Sequence, residues 1–222
     1  MLSLSNVTSI NINCVDPEDG VRALLHSQKE IQFNKSILFS HMRPYNLTDD
    51  IEFVEIPKLS HDGFSKFCIE QLNDYINTDY VLSINTDGFV INPHLWTDEF
   101  LEYDYIGAPW APNMEWCKRN RVGNGGFCLK SKKFLELSSR LTYVSGHDDV
   151  YVTNTKYDYF IENGVKYAPV QVAMKFSLES KIPECEYNLN NSFGFHGKGD
   201  SWVFQNEGQQ FKDRISILKN YN

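Results

Sequence analysis

The stretch DYVLSINTDGFVI, residues 79 to 91, decides the fold. Val81, Leu82 and Ile84 form a short apolar run that breaks at Thr86-Asp87-Gly88. A run of this length, closed by turn residues, reads as a buried strand ending in polar side chains. Upstream, strand and helix patterns alternate. NVTSININCV, residues 6 to 15, reads as a strand with Val7, Ser9, Asn11 and Asn13 on one face and Thr8, Ile10, Ile12 and Cys14 on the other. Asp16-Pro17-Glu18-Asp19 then reads as a helix start, with Asp16 as the cap and Pro17 in the first turn. SILFSHM (36–42) and DIEFVEIP (50–57) are two more strands. Between them and the opening stretch, Phe64, Phe67, Cys68, Leu72 and Ile76 recur at helical spacing. Alternating units of this kind predict an α/β fold, with a mostly parallel central sheet flanked by helices. Ligands of open α/β sheets bind beyond the carboxyl ends of the strands. Asn13, the Ser40–Arg43 segment and Asn85-Thr86-Asp87 all lie at such ends.

Downstream of residue 100 the pattern is less regular. It reads as YDYIGAPW (103–110), VGNGGF (122–127), a helix around SKKFLELSSRL (131–141), GHDDV (146–150), a strand near VKYAPVQVAMKFS (165–177) and the loop NSFGFHGKG (191–199). The expectation is one domain over residues 1–222. Its nucleotide-binding half spans about 1–100, and its loop-rich acceptor half spans about 101–222.

Bulk properties exclude several classes. The 222-residue chain carries a formal net charge of −8, which disfavours a nucleic-acid partner. A small phosphate ligand stays compatible with that charge, because a cation can screen it locally. No apolar run is long enough to span a bilayer, and the N-terminus lacks the basic and apolar regions of a signal peptide. The five cysteines are odd in number and show no CxxC spacing, so a reducing, cytoplasmic setting is expected. The sequons at Asn6, Asn46 and Asn190 are then chance matches.

Four segments carry candidate chemistry, each with a plainer competing reading. Asp87, just past a buried strand, suits a divalent metal held against a diphosphate; an Asp-Gly hairpin turn is the commoner use of the tripeptide alone. Asp148 and Asp149 suit a general base and its neighbour, or equally a helix cap and a first-turn acid. The glycines of VGNGGF let the chain pass close to a ligand, or make a tight turn. In FGFHGKG, His196 suits a metal ligand and Lys198 a phosphate contact, although a lone histidine is more often a surface one. Trp110 and Trp202 could stack on sugar faces, or simply be buried.

Taken together, TDG after a strand, YDYIGAPW, GNGGF, an acidic pair and FGFHG resemble the nucleotide-sugar glycosyltransferases of the GT-A fold. They are similar to a family of inferred glycosyltransferases marked by TDGF, DYIGAPW and GNGGF. The resemblance spans about residues 79 to 200. It implies a GT-A-like single domain that moves a sugar from a nucleotide-diphosphate donor, a UDP-sugar by preference, to a glycan or other hydroxyl acceptor. It implies Mn²⁺ or Mg²⁺ on Asp87 and His196. Asp149 would be the catalytic base and Asp148 its neighbour. Asn13 and Arg43 would touch the nucleotide, Asn85 and Thr86 would bind the donor beside the metal, Gly125 and Gly126 would line the sugar and acceptor pocket, and Lys198 would bind the diphosphate. One departure is plain: where the GT-A pattern has Asp-x-Asp, the first position is Asn85, which brings no charge. Direct attack by a base-activated hydroxyl would invert the anomeric centre. Two other readings remain. A nucleotidyltransferase or pyrophosphorylase would carry Lys or Arg in the loop after the first strand, and NCVDPEDG has neither. A non-catalytic carbohydrate-binding module would not need Asp87, Asp149 and His196 together.

Overall fold

The structure, a computed structural model, describes residues 1–197 and 217–221. Its first strand, β1 (Leu2–Ile12), is buried on both faces. Val7 joins one apolar cluster and Ile10 another, as the period-two pattern predicts. Two of its buried polar side chains bond across the sheet: Ser9 bonds Ser36 at 2.7 Å, and the Asn11 amide donates to the Ile84 carbonyl at 2.7 Å, while the Asn11 side-chain oxygen has no hydrogen-bond partner among the described residues. Helix α1 (Pro17–Gln28) begins as read, with Asp16 accepting from the Asp19 amide. It crosses over to β2 (Ile31–Ser40), and β3 (Ile51–Glu55) follows.

Helix α2 (His61–Lys66) starts at a Ser60 cap and runs on through one π turn and one 3₁₀ turn to Tyr75. Phe67, Cys68, Leu72 and Ile76 bury their side chains as the helical stripe predicts. Phe64 does not; it lines a cleft instead. Strand β4 (Tyr80–Ile84) comes next, then β5 (Tyr105–Gly107) and β6 (Phe127–Ser131). Within the described residues these six strands form one sheet in the order β3-β2-β1-β4-β6-β5. The first four in that order are mutually parallel, and β6 runs antiparallel to both neighbours. The mostly parallel α/β architecture is therefore observed.

Beyond β6, Ser131 caps α3 (Lys132–Ser138), and short helices follow: α4 (Asp148–Val150), α5 (Tyr157–Glu162) and α6 (Val170–Phe176). The strand expected near residues 165–177 is thus mostly helix α6. Pro169 stands at its start, and Val172, Ala173 and Phe176, spaced for one helical face, pack into the large core cluster. Before this helix, Tyr167 forms a parallel bridge with Tyr105 of β5, so the start of the expected strand is extended; after it, Ser177–Leu178, β7, pairs in parallel with β8 (Gly194–Phe195). Among the described residues no helix is long and apolar enough to cross a membrane.

Candidate active site

The ends of β1 and β4 open into a cleft of about 800 Å³. Asn13 lies on its wall, but its carboxamide is used to shape the turn into α1. The side-chain oxygen accepts from the Val15 and Asp16 amides, both at 2.9 Å, and the amide donates to the Asp16 carbonyl at 2.6 Å. Asn85, Thr86 and Asp87 form the opposite wall. They belong to a tight turn in which Asn85 and Gly88 exchange backbone hydrogen bonds of 2.7 and 3.1 Å. The hairpin-turn reading and the site reading of TDG are therefore compatible: the turn is what presents Asp87. Phe64, Arg22 and Lys219 also line the cleft.

Asp87 joins this cleft to a second cluster of polar groups. Its carboxylate lies 3.6 Å from His196 Nε2, and the opposite ring nitrogen, Nδ1, lies 3.2 Å from Glu179. The histidine arrives from far along the chain because β7 and β8 pair. The His196 amide donates to the Leu178 carbonyl at 3.1 Å, and the Gly197 amide donates to Asp87's own carbonyl at 2.8 Å. Burial works against a charge on His196. The hydrogen bond to Glu179 and the nearby Asp87 carboxylate outweigh it, lifting its pKa to about 9.

The glycine segment explains how these groups fit together. A β-carbon on Gly126 would stand 1.9 Å from His196 Nε2, and one on Gly125 would stand 2.9 Å from the Asp149 β-carbon. Glycine here serves close side-chain approach. The YDYIGAPW segment braces that loop from below. The Tyr105 hydroxyl donates to the Gly123 carbonyl at 2.6 Å, Gly107 leaves no room for a side chain against the Asn124 carbonyl, and Trp110 lies over Gly123. Trp110 is accordingly a buried residue.

Asp149 accepts from the Gly125 amide at 3.1 Å and from the Val150 amide at 2.7 Å. Burial, followed by the charge of Asp148, pushes its pKa up to about 7. Burial raises Asp148 as well, and Lys130 pulls it back.

The structure thus gathers Asp87, His196, Gly125, Gly126 and the acid pair, with Asn13, Asn85 and Thr86 on the adjoining cleft. Arg43 is placed elsewhere: its guanidinium lies over the Phe53 ring at 5.7 Å, outside the cleft lining. Lys198 and Trp202 lie outside the described residues. Glu179, Arg22, Lys219 and Lys130 were not singled out from sequence, and Phe64 reads there as part of a buried helical stripe. Only Lys130 carried a local signal, as a charge within an otherwise apolar strand.

The fold is that of the GT-A transferases. The crystal structure of the galactosyltransferase LgtC in complex with donor and acceptor sugar analogs is similar at a TM-score of 0.58 and 12% identity, over 96% of this chain and 95% of that chain. An active-site mutant of LgtC is similar at a TM-score of 0.54 and 12% identity, with the same coverage. By sequence, the chain belongs to the family described as Protein of unknown function (DUF5672), whose model matches residues 50–196. No curated protein matches the chain.

Proposed function

We propose that this protein is a glycosyltransferase that moves a sugar from a nucleotide-diphosphate donor, a UDP-sugar by preference, to a hydroxyl acceptor. The observation that carries the reading is the position of Asp87. One side of its turn lines a nucleotide-sized cleft, and its carboxylate meets His196 beside the acid pair.

Asp87 and His196 fit a divalent cation as a carboxylate and imidazole donor set, a combination that suits Mn²⁺ better than Mg²⁺. Glu179 fits the role of the carboxylate that orients a ligating histidine. Among the described residues no group of three or more His, Cys, Asp or Glu is spaced to hold an ion. The remaining positions would fall to phosphate oxygens of the donor, which makes ion and donor binding mutually dependent. When bound, the ion supplies charge neutralisation for the departing diphosphate.

The chain's own residues do the rest. Asn85 and Thr86 bound the cleft on the diphosphate side, and Phe64 offers an aromatic face within it. Asp149 takes the proton of the acceptor hydroxyl. The hydroxyl oxygen then bonds to the anomeric carbon, and the bond from that carbon to the diphosphate breaks with its electron pair leaving on the diphosphate. Such a direct displacement inverts the anomeric centre.

A calorimetric screen of nucleotide sugars, with and without Mn²⁺, tests the reading. UDP-sugars are expected to bind in Mn²⁺ and to bind at least about tenfold more weakly in a chelator. A protein that binds no nucleotide sugar under either condition is not the transferase described.

A further inference from the structure

The proposed chemistry leaves one buried charge unused. Lys130 lies within β6, paired with Val81 on one side and Tyr105 on the other, and is 5% exposed. Its ammonium makes no hydrogen bond within the described residues; it lies over the face of the Tyr105 ring, 5.9 Å from the centroid. A buried ammonium is retained only where negative charge compensates it.

The surroundings show where that charge lies. Lys130 opens into a cavity of about 10 Å³ that it shares with Asp148, Gly125, Asn85 and Ser83. That volume has room for about one water. Lys130 does not line the donor cleft, and its nearest chemistry is a neighbouring side chain. The Cys128 and Cys68 thiols also act on Lys130, and Cys68 lines the same cavity. Burial pushes both up, so they stay protonated at neutral pH. Of the two carboxylates whose charge reaches Lys130, Asp148 is the one that shares its cavity, without a direct ion pair between them. The rest of the pair's surroundings treat its members differently. Asp149 is gripped by two backbone amides, with Glu179 and His196 on its side of the site. Asp148 has His147 beside it; the Tyr105 and Tyr143 hydroxyls, whose pKa values burial raises, are bonded elsewhere, Tyr105 to the Gly123 carbonyl and Tyr143 to the Gly146 carbonyl.

We propose that Lys130 is a positioning residue that makes the acid pair unequal: its ammonium favours the charged form of Asp148 across the shared cavity, and Asp149 is left as the carboxylate that receives the acceptor's proton. The role of that proton rests on the transferase reading; the coupling of Lys130 to Asp148 does not. Two adjacent carboxylates without such a cation would share one proton between them and titrate as an undivided pair. With it, Asp148 ionises first and its charge keeps Asp149 basic near neutral pH.

The test is a carboxyl ¹³C NMR titration of the parent and of Lys130→Met, with the two signals assigned through Asp148→Asn and Asp149→Asn. In the parent, Asp148 is expected to titrate at lower pH than Asp149. In Lys130→Met, the lower of the two ionisations is expected to move up by at least about one pH unit, the usual effect of losing a close opposite charge. UDP affinity in Mn²⁺ should stay within about twofold, because Lys130 does not line the donor cleft, and the acidic limb of the transfer rate should move up with the titration. A lower ionisation that stays where it was overturns the proposal. So does a parent in which Asp149 is the first to ionise. Should Lys130→Met fail to fold, the double variant Lys130→Met/Asp148→Asn, which removes both charges, is expected to fold cooperatively; a double variant no more stable than Lys130→Met overturns the coupling. Loss of the transferase reading would show separately, as a parent that binds no nucleotide sugar while the titration still reports on Lys130.

Discussion

Asp149→Asn is expected to transfer sugar about 10²–10⁴-fold more slowly than the parent, the usual contribution of a general base, with donor affinity nearly unchanged. The two effects separate because Asp149 is bonded to Gly125 and Val150 and does not line the donor cleft. The parent's pH profile follows from the same carboxylate. Its pKa is pushed to about 7, first by burial and then by Asp148, so kcat/KM should rise with pH through about 7 and level off above it. The stability consequence has the opposite sign. The folded value lies above that of an unfolded carboxylate, about 4, so this group's contribution to stability is complete below about pH 4 and is lost as pH rises towards 7. Asp149→Asn should therefore lose less Tm than the parent between pH 5 and pH 8. Asp148→Asn should be the milder variant in catalysis. A parental transfer rate in Asp149→Asn, or a product with retained anomeric configuration, contradicts the assignment.

Gly126→Ala is expected to weaken Mn²⁺-dependent donor binding by at least about 100-fold, since misplacing the support of a ligand alone costs 10–100-fold. A β-carbon there would fall 1.9 Å from His196 Nε2, well inside contact distance. The ring has no easy retreat. Asp87 and Glu179 hold its two nitrogens, and the backbone on either side is tied to Leu178 and Asp87. The alanine variant should leave the nucleotide cleft itself unchanged, so any metal-independent UDP binding persists. Calorimetry with UDP, with and without Mn²⁺, reads both quantities. Equal Mn²⁺ enhancement in parent and variant would remove His196 from the site.

The two halves of the site were not equally legible in the sequence. The apolar run of β4 stops at Asn85, and the turn residues after it announce a strand end with Asp87 just beyond; local pattern suffices there. Asp16 and Pro17 likewise mark the start of α1. Bringing His196 to Asp87 was not legible from spacing, because it depends on Ser177–Leu178 pairing with Gly194–Phe195, two strands of two residues each. Strands that short leave no periodic signal. Glu179 sits next to one of them and had no signal of its own. Helix α6 was misread because Val170, Val172 and the flanking aromatic residues favour a strand locally; packing of Val172, Ala173 and Phe176 into the core overrides that preference. Arg43 follows a strand as expected, but it packs on Phe53 of the neighbouring edge strand, away from the cleft. The glycine segment was legible as a close approach; that the approaching groups are His196 and Asp149 required the fold.

The account turns on Asp87 joining donor and metal. Calorimetric titration of UDP into the parent and into Asp87→Ala, each with saturating Mn²⁺ and each in a chelator, tests this most directly. The parent is expected to bind UDP with a strong Mn²⁺ requirement. Asp87→Ala is expected to unfold as cooperatively as the parent and to show no Mn²⁺-dependent binding. An Asp87→Ala protein that binds UDP and Mn²⁺ as tightly as the parent would contradict the account.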